Sequence, residues 1–545
     1  MKLENKIAEE LKRVLDKLGY EIKLDEIVIE HSKTREHGDY AANIAMRLAK
    51  VAHKSPRLVA EEIVNNFKLE EVEKIEVAGP GFINFFINLK SLQAVVKEVI
   101  KEGKKYGQLT YGNGTRVNVE YVSANPTGDL HLGHARGAAV GDSLVRVLRK
   151  CGFDVTAEYY INDGGNQVDN LAKSLLARYK EACGLGKQEM PENGYYGKDV
   201  IRIAKSIYKA EGDRLLPLSE DEQLKYLKEK GIQAMFAQIV KDLKKFGVEF
   251  DVFSSENKIR QDGKVEEVKA ELKPMCYEQD GATYLKTIQD GDDKDRVIVK
   301  SDGSYTYLLP DIAYHKTKYD RGFDQIIDVF GADHHGYIAR LKSSMKSLGY
   351  DPEKIGIVII QMVRLFKDGQ EYKMSKRTGN AVSMRELISD VGVSATRYYF
   401  VTRSGSSHLD FDIDLAKSLS SDNPVYYAMY SHARLVSMLD SAKLKGLTID
   451  KSAHLLTDPV EIELLKTIAG FQDAILEAGL TREPYKITIY IQKLASQINE
   501  FYTKCRVLDE GNPDLSASRL ALCKASAQTL KNALDLIGVK APNRM

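Results

Sequence analysis

Two short segments hold side chains whose types and spacing suit chemistry on a phosphate. Residues 124–134 read Ala-Asn-Pro-Thr-Gly-Asp-Leu-His-Leu-Gly-His, so that His131 and His134 lie one helical turn apart. Residues 373–377 read Lys-Met-Ser-Lys-Arg, within a stretch flanked by glycines. Imidazole N–H groups suit oxygens that gain charge, and two ammonium groups on a closing loop neutralise a triphosphate. Together the segments predict a site that binds ATP and stabilises charge at its α-phosphate.

The first segment lies where a predicted strand passes into a predicted helix. Apolar and polar residues alternate over 117–121, and a helical pattern runs over 132–150. The start of a helix favours phosphate because its N–H groups are free and its dipole is positive there. Gly128 and Gly133 lack a Cβ, which lets a ligand approach the backbone closely. A strand, a glycine-containing loop and a helix form the first unit of a doubly wound α/β domain, whose ligands bind at the carboxyl ends of the strands.

Each segment alone has other interpretations. His131 and His134 could be ordinary polar residues at a helix start, or two metal ligands, although no third ligand is near them in the sequence. Lys373 and Lys376 could belong to a solvated basic loop. Two motifs in this order, each at the edge of an α/β unit, favour the ATP site over these alternatives.

The composition is that of an ordinary globular protein. Of the 545 residues, 43% are hydrophobic and 29% are charged, and the length suggests about three to four domains. The formal net charge of +1 argues neither for nor against a polyanionic partner. Five scattered cysteines without a CxxC pair disfavour a four-ligand zinc site and fit a reducing, intracellular compartment. No stretch approaches the roughly 20 apolar residues of a membrane span, and the charged N-terminus predicts an amphipathic helix rather than a secretory signal.

Changes of pattern along the chain predict three parts. Residues 1–110 alternate helical and strand patterns and predict a small α+β module. Residues 111–415 predict the doubly wound domain, with a mostly helical insertion at about 155–300. Strand signals then fade, and residues 416–545 predict a helical bundle. Apolar runs typical of buried parallel strands occupy 326–330 and 355–361, and bundle helices are predicted at about 458–478, 487–508 and 516–537.

The two segments resemble the signatures of class I aminoacyl-tRNA synthetases. Residues 131–134 are similar to the first signature and residues 373–377 to the second. Nearly from end to end, further segments resemble those of arginyl-tRNA synthetases, namely 38–41, 79–84, 120–128, 291–296, 301–307, 311–315, 331–337 and 541–545. Three positions depart from the family's pattern: Arg377 replaces the final serine, Asp129 replaces a proline and Asn543 replaces a glutamate.

The resemblance implies both a fold and an activity. The expected fold is α/β: a doubly wound parallel sheet in a Rossmann-like catalytic domain, an N-terminal α+β domain that contacts tRNA, and a C-terminal all-α anticodon-binding bundle. The implied enzyme is an arginine–tRNA ligase, which forms arginyl-adenylate from L-arginine and ATP and transfers arginine to tRNA(Arg). Mg²⁺ is expected with ATP, held mostly through phosphates, and no zinc is expected. The resemblance also implies a cytoplasmic monomer without membrane association.

The same resemblance assigns the site residues. The expected catalytic residues are His131, His134, Lys373 and Lys376. The expected ATP contacts are Thr127, Gly128, His131, Gly133, His134, Asp333, His334, Lys373, Met374, Ser375 and Lys376. The expected arginine contacts are Glu120, Asn125, Tyr307, Asp311 and Gln361. None of these residues is expected to bind a metal.

The expected arginine contacts suit a cationic amino acid. A guanidinium has five donors and no acceptor, so its pocket needs carboxylates and other oxygens. We expect Asp311 and Tyr307 near the guanidinium, with Glu120, Asn125 and Gln361 nearer the α-amino and α-carboxylate groups. A wrong ligand would leave buried groups unpaired, so such a site discriminates strongly without an editing domain.

These residues also have purely structural interpretations. Glu120 could face solvent from its strand, Asp311 could cap a helix that begins at Ile312, and Tyr307 could belong to a strand core. The histidines at 334–335 could bind a metal. In the predicted bundle, the tyrosines at positions 426, 427 and 430 could stack on anticodon bases or pack against other helices.

Three other functions are alternatives. A small-molecule nucleotidyltransferase shares the first signature but needs neither an RNA-sized bundle nor an N-terminal module. A non-catalytic RNA-binding paralogue would be expected to lose signature residues, and both signatures are intact. A synthetase for cysteine would need zinc-ligating Cys and His residues at suitable spacing, which this chain lacks.

Overall fold

The N-terminal module is an antiparallel sheet covered by helices. The computed structural model describes residues 3–31, 38–372 and 382–545, without the side chains of residues 31 and 333–335. The strands of the module are β1 (Ile29–His31), β2 (Tyr40–Ala42), β3 (Val72–Ala78) and β4 (Phe82–Ile87), paired in the order β1-β2-β4-β3. Its helices are α1 (Leu3–Lys17), α2 (Ile44–Ala52), α3 (Pro56–Asn66) and α4 (Leu89–Glu102). This part therefore has the predicted α+β character.

A parallel sheet of five described strands forms the centre of the molecule. The five strands are β5 (Arg116–Glu120), β6 (Asp154–Ile161), β7 (Val252–Ser255), β11 (Gln325–Gly331) and β12 (Ile355–Ile360). Their order is β12-β11-β5-β6-β7, and every neighbouring pair is parallel. The chain winds in opposite directions from β5 to β6 and from β5 to β11, so the switch point lies beside β5, where such sheets bind ligands.

Helices and two small sheets surround this centre. The helices are α5 (Leu132–Lys150), α6 (Asn166–Ala182), α7 (Lys198–Glu211), α8 (Glu220–Lys245), α9 (Glu256–Gln261), α10 (Lys264–Leu272), α11 (Leu308–Asp320), α12 (Ile338–Ser347), α13 (Met384–Val391), α14 (Val393–Val401) and α15 (Ile413–Lys417). One small sheet contains β8 (Cys276–Gln279), β9 (Ala282–Leu285) and β10 (Arg296–Val299), and the other contains β13 (Val363–Lys367), β14 (Gln370–Glu371) and β15 (Leu409–Asp412).

The insertion predicted at about 155–300 needs a correction. Two of its segments, β6 and β7, are strands of the central sheet, so the stretch is not a separate helical unit. About 90 residues of mostly helical chain separate them, and a local pattern cannot show that two such distant segments pair across a sheet. The helices between them, α6, α7 and α8, pack around their own small apolar cluster.

The C-terminal part is a bundle of long helices. Its members are α16 (Pro424–Leu444), α17 (Pro459–Ala469), α18 (Phe471–Leu480), α19 (Tyr485–Lys504) and α20 (Pro513–Leu536). The single helix predicted at about 458–478 is in fact two, because the chain breaks at Gly470. Gly538 follows α20 with the positive φ of 66° typical of a residue that ends a helix.

Candidate active site

The start of α5 holds the two histidines in a fixed arrangement. His131 is the N-cap residue, and its Nδ1 accepts hydrogen bonds from the backbone N–H groups of Gly133 and His134 at 3.1 and 3.4 Å. In return, the Nδ1 of His134 accepts from the N–H of His131 at 3.3 Å, which completes a capping box. The two rings stack with their centroids 3.6 Å apart and their planes 20° from parallel.

This capping box determines which ring nitrogens carry protons. A neutral imidazole that accepts at Nδ1 has its proton on Nε2. His131 and His134 therefore both have Nε2–H as their donor, as assigned from this hydrogen-bond geometry. A Cβ at Gly133 would lie 3.0 Å from Cε1 of His131, so glycine leaves the room that this ring occupies.

The chain returns to the same place after the second motif. The backbone N–H of Met384 donates to the carbonyl of Leu130 at 2.7 Å, and Ser383 forms an antiparallel bridge with His131. The start of the segment that follows residues 373–381 is thus paired with the first motif. The predicted site residues Lys373, Met374, Ser375 and Lys376, together with Arg377, lie outside the described residues, as do the side chains of Asp333 and His334.

The loop between β5 and α5 begins with a strained turn. Val122 and Ser123 have φ angles of 70° and 39°, values that non-glycine residues and β-branched residues in particular avoid. The N–H of Ser123 donates to the carbonyl of Tyr121 at 3.0 Å, which closes a γ-turn around Val122. The turn directs the Ser123 hydroxyl to Glu120 Oε1 at 2.8 Å, while its oxygen accepts from the N–H of Tyr160 at 3.1 Å. Strain of this kind clusters at functional sites.

The rest of that loop is tied to the helices that follow β6. The Asn125 amide donates to Gln167 Oε1 at 2.5 Å, and the N–H of Thr127 donates to the carbonyl of Asn125 at 2.7 Å. A Cβ at Gly128 would meet Asp199 Oδ2 at 3.4 Å, an ordinary contact. The predicted contacts Asn125, Thr127 and Gly128 thus lie in one braced loop beside the histidines.

Helix α11 brings the second group of predicted residues to the site. Tyr307 is its N-cap residue and is 67% exposed, so the strand-core interpretation is wrong. The helix begins at Leu308, and Asp311 lies inside its first turn without any side-chain cap bond, so the capping interpretation is also wrong. Asp311 instead lies near Tyr337, and burial together with the charge of Asp311 raises the pKa of that phenol.

A row of buried charges connects Glu120 with Asp311. The ammonium of Lys318 lies 2.6 Å from Glu120 Oε2 and 2.7 Å from Asp328 Oδ1. Asp328 Oδ2 lies 3.0 Å from Nε2 of His315, whose Nδ1 contacts the carbonyl and carboxylate oxygens of Asp311 at 2.8 and 3.2 Å. Glu120 is only 6% exposed, which rules out the interpretation of a solvent-facing residue.

The lysine occupies the position that a metal ion would need. Glu120, His315 and Asp328 place three potential ligand atoms within 4.8 Å of one another. The ammonium of Lys318 already contacts two of these three side chains, so a cation of the protein fills the cluster. The Lys318 ammonium would repel a divalent metal ion placed there.

Burial and neighbouring charges shift the pKa values of these groups in different directions. Burial raises the pKa of Glu120, and the charge of Asp328 adds to that rise although Lys318 opposes it. Burial opposes the charged form of Asp328, but Lys318 and His315 prevail and hold its pKa below the ordinary range. Burial also opposes the imidazolium of His315, but Asp311 and Asp328 raise its pKa to about 10. His315 is therefore a cation at neutral pH.

Gln361 lies just beyond the end of β12. Its N–H donates to the carbonyl of Gly405 at 2.8 Å, and its carbonyl accepts from Arg136 at 2.8 Å. Arg136 comes from α5 and is fully buried, so Gln361 is held against the helix that carries the histidines. These backbone bonds place the residue at the carboxyl edge of the sheet, and its contact with arginine stays a prediction.

Three residues of this cluster, His315, Lys318 and Asp328, were not among the predicted site residues. Asp311, His315 and Lys318 are spaced i, i+4 and i+7, which puts them on one face of a helix. Asp328 interrupts an apolar run that was correctly predicted as a buried strand. A buried carboxylate needs a partner, so the spacing in α11 together with this lone acidic residue was the available signal.

Comparison with known proteins identifies the family. A family model described as "tRNA synthetases class I (R), catalytic domain" matches residues 95–399, more than half of the chain. The chain belongs to the arginyl-tRNA synthetase family. The model "Arginyl tRNA synthetase N terminal domain" matches residues 1–87, and the model "DALR anticodon binding domain" matches residues 428–545.

Individual relatives agree with the family models. The chain is 51% identical to an arginine–tRNA ligase of Bacillus subtilis and 50% identical to one of Geobacillus kaustophilus, each alignment covering 100% of this chain and 99% of the relative. The arginyl-tRNA synthetase structure from Thermus thermophilus superposes over 100% of both chains with a TM-score of 0.76 at 22% identity, which supports the fold. The predicted family and fold class are confirmed.

Aromatic side chains mark one surface of the part that matches the anticodon-binding model. The rings of Tyr426 and Tyr430 on α16 stack with their centroids 5.9 Å apart and their planes 12° from parallel. The guanidinium of Arg434 lies 4.7 Å from the centroid of Tyr430 and 4.5 Å from that of Tyr502. Tyr430 is partly exposed, whereas Tyr427 packs against the core. Stacking of bases on this surface stays a prediction.

In the part of the chain that the structure describes, each helix is either too short or too polar to span a bilayer.

Proposed function

We propose that the protein activates L-arginine with ATP and transfers the arginyl group to tRNA(Arg). The observation that supports this best is that two connected carboxylates lie near the N-terminus of the helix that carries the two histidines. Glu120 at the end of β5 and Asp311 in α11 are connected through one buried network. They lie beside the switch point of the sheet, where α5 presents His131 and His134. A cationic amino acid and a nucleotide phosphate are the ligands such an arrangement suits.

Adenylate formation then depends mainly on positioning and charge. The Nε2–H groups of His131 and His134 donate to the α-phosphate oxygens as they gain charge during attack by the arginine carboxylate. The start of α5 adds its dipole, and we assign Thr127 and Gly128 to the same phosphates. Lys373 and Lys376 neutralise the departing pyrophosphate, together with the remaining ATP contacts assigned by the resemblance. No general base is needed, since the nucleophile is already a carboxylate.

The amino acid is held by the residues at the carboxyl edge of the sheet. Asp311 and Tyr307 receive the guanidinium, while Glu120, Asn125 and Gln361 hold the α-ammonium and α-carboxylate groups. Burial and the charges of Glu256, Asp311 and Glu120 raise the pKa of Tyr160. Glu120 and Asp311 both act on this one phenol, which supports their assignment to the same pocket.

Magnesium accompanies ATP through the phosphate oxygens. The buried donors Glu120, His315 and Asp328 do not suit it, because Lys318 lies between them. Mg²⁺ generally keeps several waters and few protein ligands, which fits a site made largely by the nucleotide.

The outer parts of the chain hold the tRNA. We propose that residues 1–110 contact the body of the tRNA and that residues 416–545 bind its anticodon, with 111–415 as the catalytic part. The stacked rings of Tyr426 and Tyr430 provide a platform for splayed bases. A cytoplasmic location and a monomeric state belong to the same proposal and rest on the family resemblance.

Pyrophosphate exchange with each amino acid, with and without tRNA, tests this function. Exchange that depends on arginine, and that tRNA supports, is expected. Exchange with cysteine or glutamate in place of arginine would refute the substrate, and no exchange even with cognate tRNA would favour a non-catalytic paralogue.

Two variants on one helix test the assigned pocket. Asp311→Asn removes a charge proposed to face the guanidinium and is expected to raise the KM for arginine at least tenfold. Asp320→Asn is the matched control, because Asp320 ends the same helix at an exposed position and its carboxylate accepts hydrogen bonds from Lys316 and Tyr350. An unchanged KM in both variants would remove Asp311 from the pocket.

A further inference from the structure

Five side chains of alternating charge form a continuous buried row, which begins and ends at the two carboxylates proposed to bind arginine. In order, they are Glu120, Lys318, Asp328, His315 and Asp311, and we call them the charge chain. Each neighbouring pair is in contact, at distances of 2.6, 2.7, 3.0 and 3.2 Å. Its two ends come from β5 and α11, which are almost 200 residues apart in the sequence.

The three inner members are inaccessible to any ligand. The side chains of Lys318 and Asp328 are 0% exposed, and that of His315 is 1% exposed. The side chains of Glu120 at one end and Asp311 at the other are 8% and 24% exposed. A ligand therefore meets only the ends, while the inner groups act on it through them.

The charge chain carries one unbalanced negative charge. Two cations, Lys318 and His315, stand against three carboxylates when all five groups are ionised. A neighbouring ion pair does not change this balance, because Arg321 and Glu158 neutralise each other at 2.7 Å. Arginine has two cationic groups and one carboxylate, so it supplies the one positive charge that the chain lacks.

The charge chain also fixes the orientation of the carboxylates at its two ends. Lys318 holds Oε2 of Glu120, and Ser123 holds Oε1, so this carboxylate has little freedom to rotate. His315 contacts both the main-chain and side-chain oxygens of Asp311 one turn earlier in α11. Because the inner groups are buried and hydrogen-bonded on both sides, the two ends keep their separation before a ligand arrives.

We propose that Lys318, Asp328 and His315 are positioning residues that select a cationic amino acid, through the orientation and the unbalanced charge of Glu120 and Asp311. The proposal rests on the proposed function, since it concerns the same arginine pocket. It goes beyond the assigned contacts because none of these three groups touches the substrate. A neutral isostere of arginine, in which a urea replaces the guanidinium, would leave the excess charge buried and is rejected for that reason.

The central test is the variant Asp328→Asn in the 545-residue chain. The amide keeps the size of the side chain and removes one negative charge, which makes the net charge of the charge chain zero. The expected result in tRNA-supported pyrophosphate exchange is a KM for arginine raised at least tenfold with an unchanged KM for ATP. Discrimination against citrulline, the urea isostere, is expected to fall by a similar factor.

A buried ion pair away from the site provides the matched control. Asp142 is 8% exposed and lies 2.5 Å from the fully buried Arg397. Asp142→Asn is expected to lower the melting temperature as Asp328→Asn does, because each leaves a buried cation with one carboxylate fewer. The control should leave the KM for arginine unchanged, and a comparable rise in that control would show a purely structural effect.

A double variant separates charge from local damage. Adding Lys318→Met to Asp328→Asn removes one cation and restores the unbalanced negative charge. The arginine KM is expected to recover at least threefold from the value of the single variant. If the single variant folds poorly, the double variant also removes the buried ammonium that has lost one of its two carboxylates. Equal arginine KM values in the single variant, the double variant and the wild type would overturn the proposal. A wild type without any arginine-dependent exchange would instead overturn the proposed function.

Discussion

At the scale of single residues, the site depends on how buried charges are balanced. Lys318 contacts two carboxylates and is itself fully buried, so it acts as the local countercharge where a metal would otherwise fit. His315 is the second cation, and it is one only because Asp311 and Asp328 outweigh its burial. The charge of the pocket thus depends on the His315 imidazole, whose pKa lies far above its ordinary value.

That imidazole makes stability depend on pH in a known direction. The groups facing His315 are Asp311, Asp328, Lys318 and the ring edge of Tyr314. The pKa of His315 is about 10 in the folded protein and about 6.5 when unfolded, so its contribution is complete below about 6.5 and is lost as pH rises through 10. Between those values, stability is expected to fall by up to about 1.4 kcal/mol per pH unit from this group.

The measurement is urea unfolding of the wild type and of His315→Gln at pH 7 and pH 9.5. The variant lacks the titrating group, so the difference in unfolding free energy between the two proteins should shrink at the higher pH. Other titrating groups cancel in this comparison. A difference that stays constant with pH would mean that His315 is neutral in the folded protein.

The sequence named several residues that the structure connects, but it did not show the buried contacts that connect them. Glu120, His131 and Asp311 were named from the motifs and the resemblance, and their roles in the site stay predictions. The partners of Glu120 could not be inferred, because Lys318 and Asp328 approach it only after the sheet forms. Distant pairing is decided by tertiary packing, which a local pattern does not contain.

At the scale of elements, the turn after β5 shows how one short segment can store strain. The predicted helix over 132–150 matches α5, since its N-cap and apolar pattern are local signals. The γ-turn at Val122 had no such signal, because a β-branched residue is disfavoured at positive φ. The surrounding bonds of Ser123 to Glu120 and Tyr160 hold the turn in place.

Val122→Gly is expected to relax this turn. Glycine removes a left-handed strain of about 1–2 kcal/mol, while lost packing of a partly buried side chain and added chain entropy oppose it by a similar amount. Stability should therefore change by less than about 1 kcal/mol, as the sum of those opposing effects. The KM for arginine should rise several-fold, because Ser123 no longer holds Glu120 firmly.

Val122→Ala is the control for this change, measured by chemical denaturation and by exchange kinetics. Alanine keeps the Cβ and the strain but loses packing, so it should cost stability with little effect on the arginine KM. A glycine variant that is more stable and has an unchanged KM would show that the strain has no role in binding.

At the scale of the whole molecule, the N-terminal module packs on the C-terminal bundle. The phenol of Tyr106 donates to the carbonyl of Ile468 at 2.8 Å, and the amide of Asn532 donates to the carbonyl of Gly103 at 2.9 Å. Asp39, whose segment resembles the family's N-terminal domain, forms an ion pair with Lys466 of α17. The two parts at opposite ends of the sequence therefore share one hydrophobic core, and we expect them to unfold together.

Gln93 tests this junction between the two ends. Its side chain on α4 is buried and donates to the carbonyls of His454 and Leu456, each at 3.1 Å. Gln93→Met removes both donors and leaves these carbonyls without a partner, which should lower the unfolding free energy by about 1–3 kcal/mol.

Gln108→Met is the matched control for that loss. The amide of Gln108 also donates to backbone carbonyls, those of Leu109, Arg149 and Lys150, but it does so at an exposed position. Water can replace it there, so the cost should stay below about 0.5 kcal/mol. Urea unfolding followed by circular dichroism measures both, and the bundle and the N-terminal module should keep a single transition in each variant. A second transition in Gln93→Met at a lower urea concentration would mean that the N-terminal module detaches first, and equal losses in the two variants would show that burial of the Gln93 contacts contributes nothing to the junction.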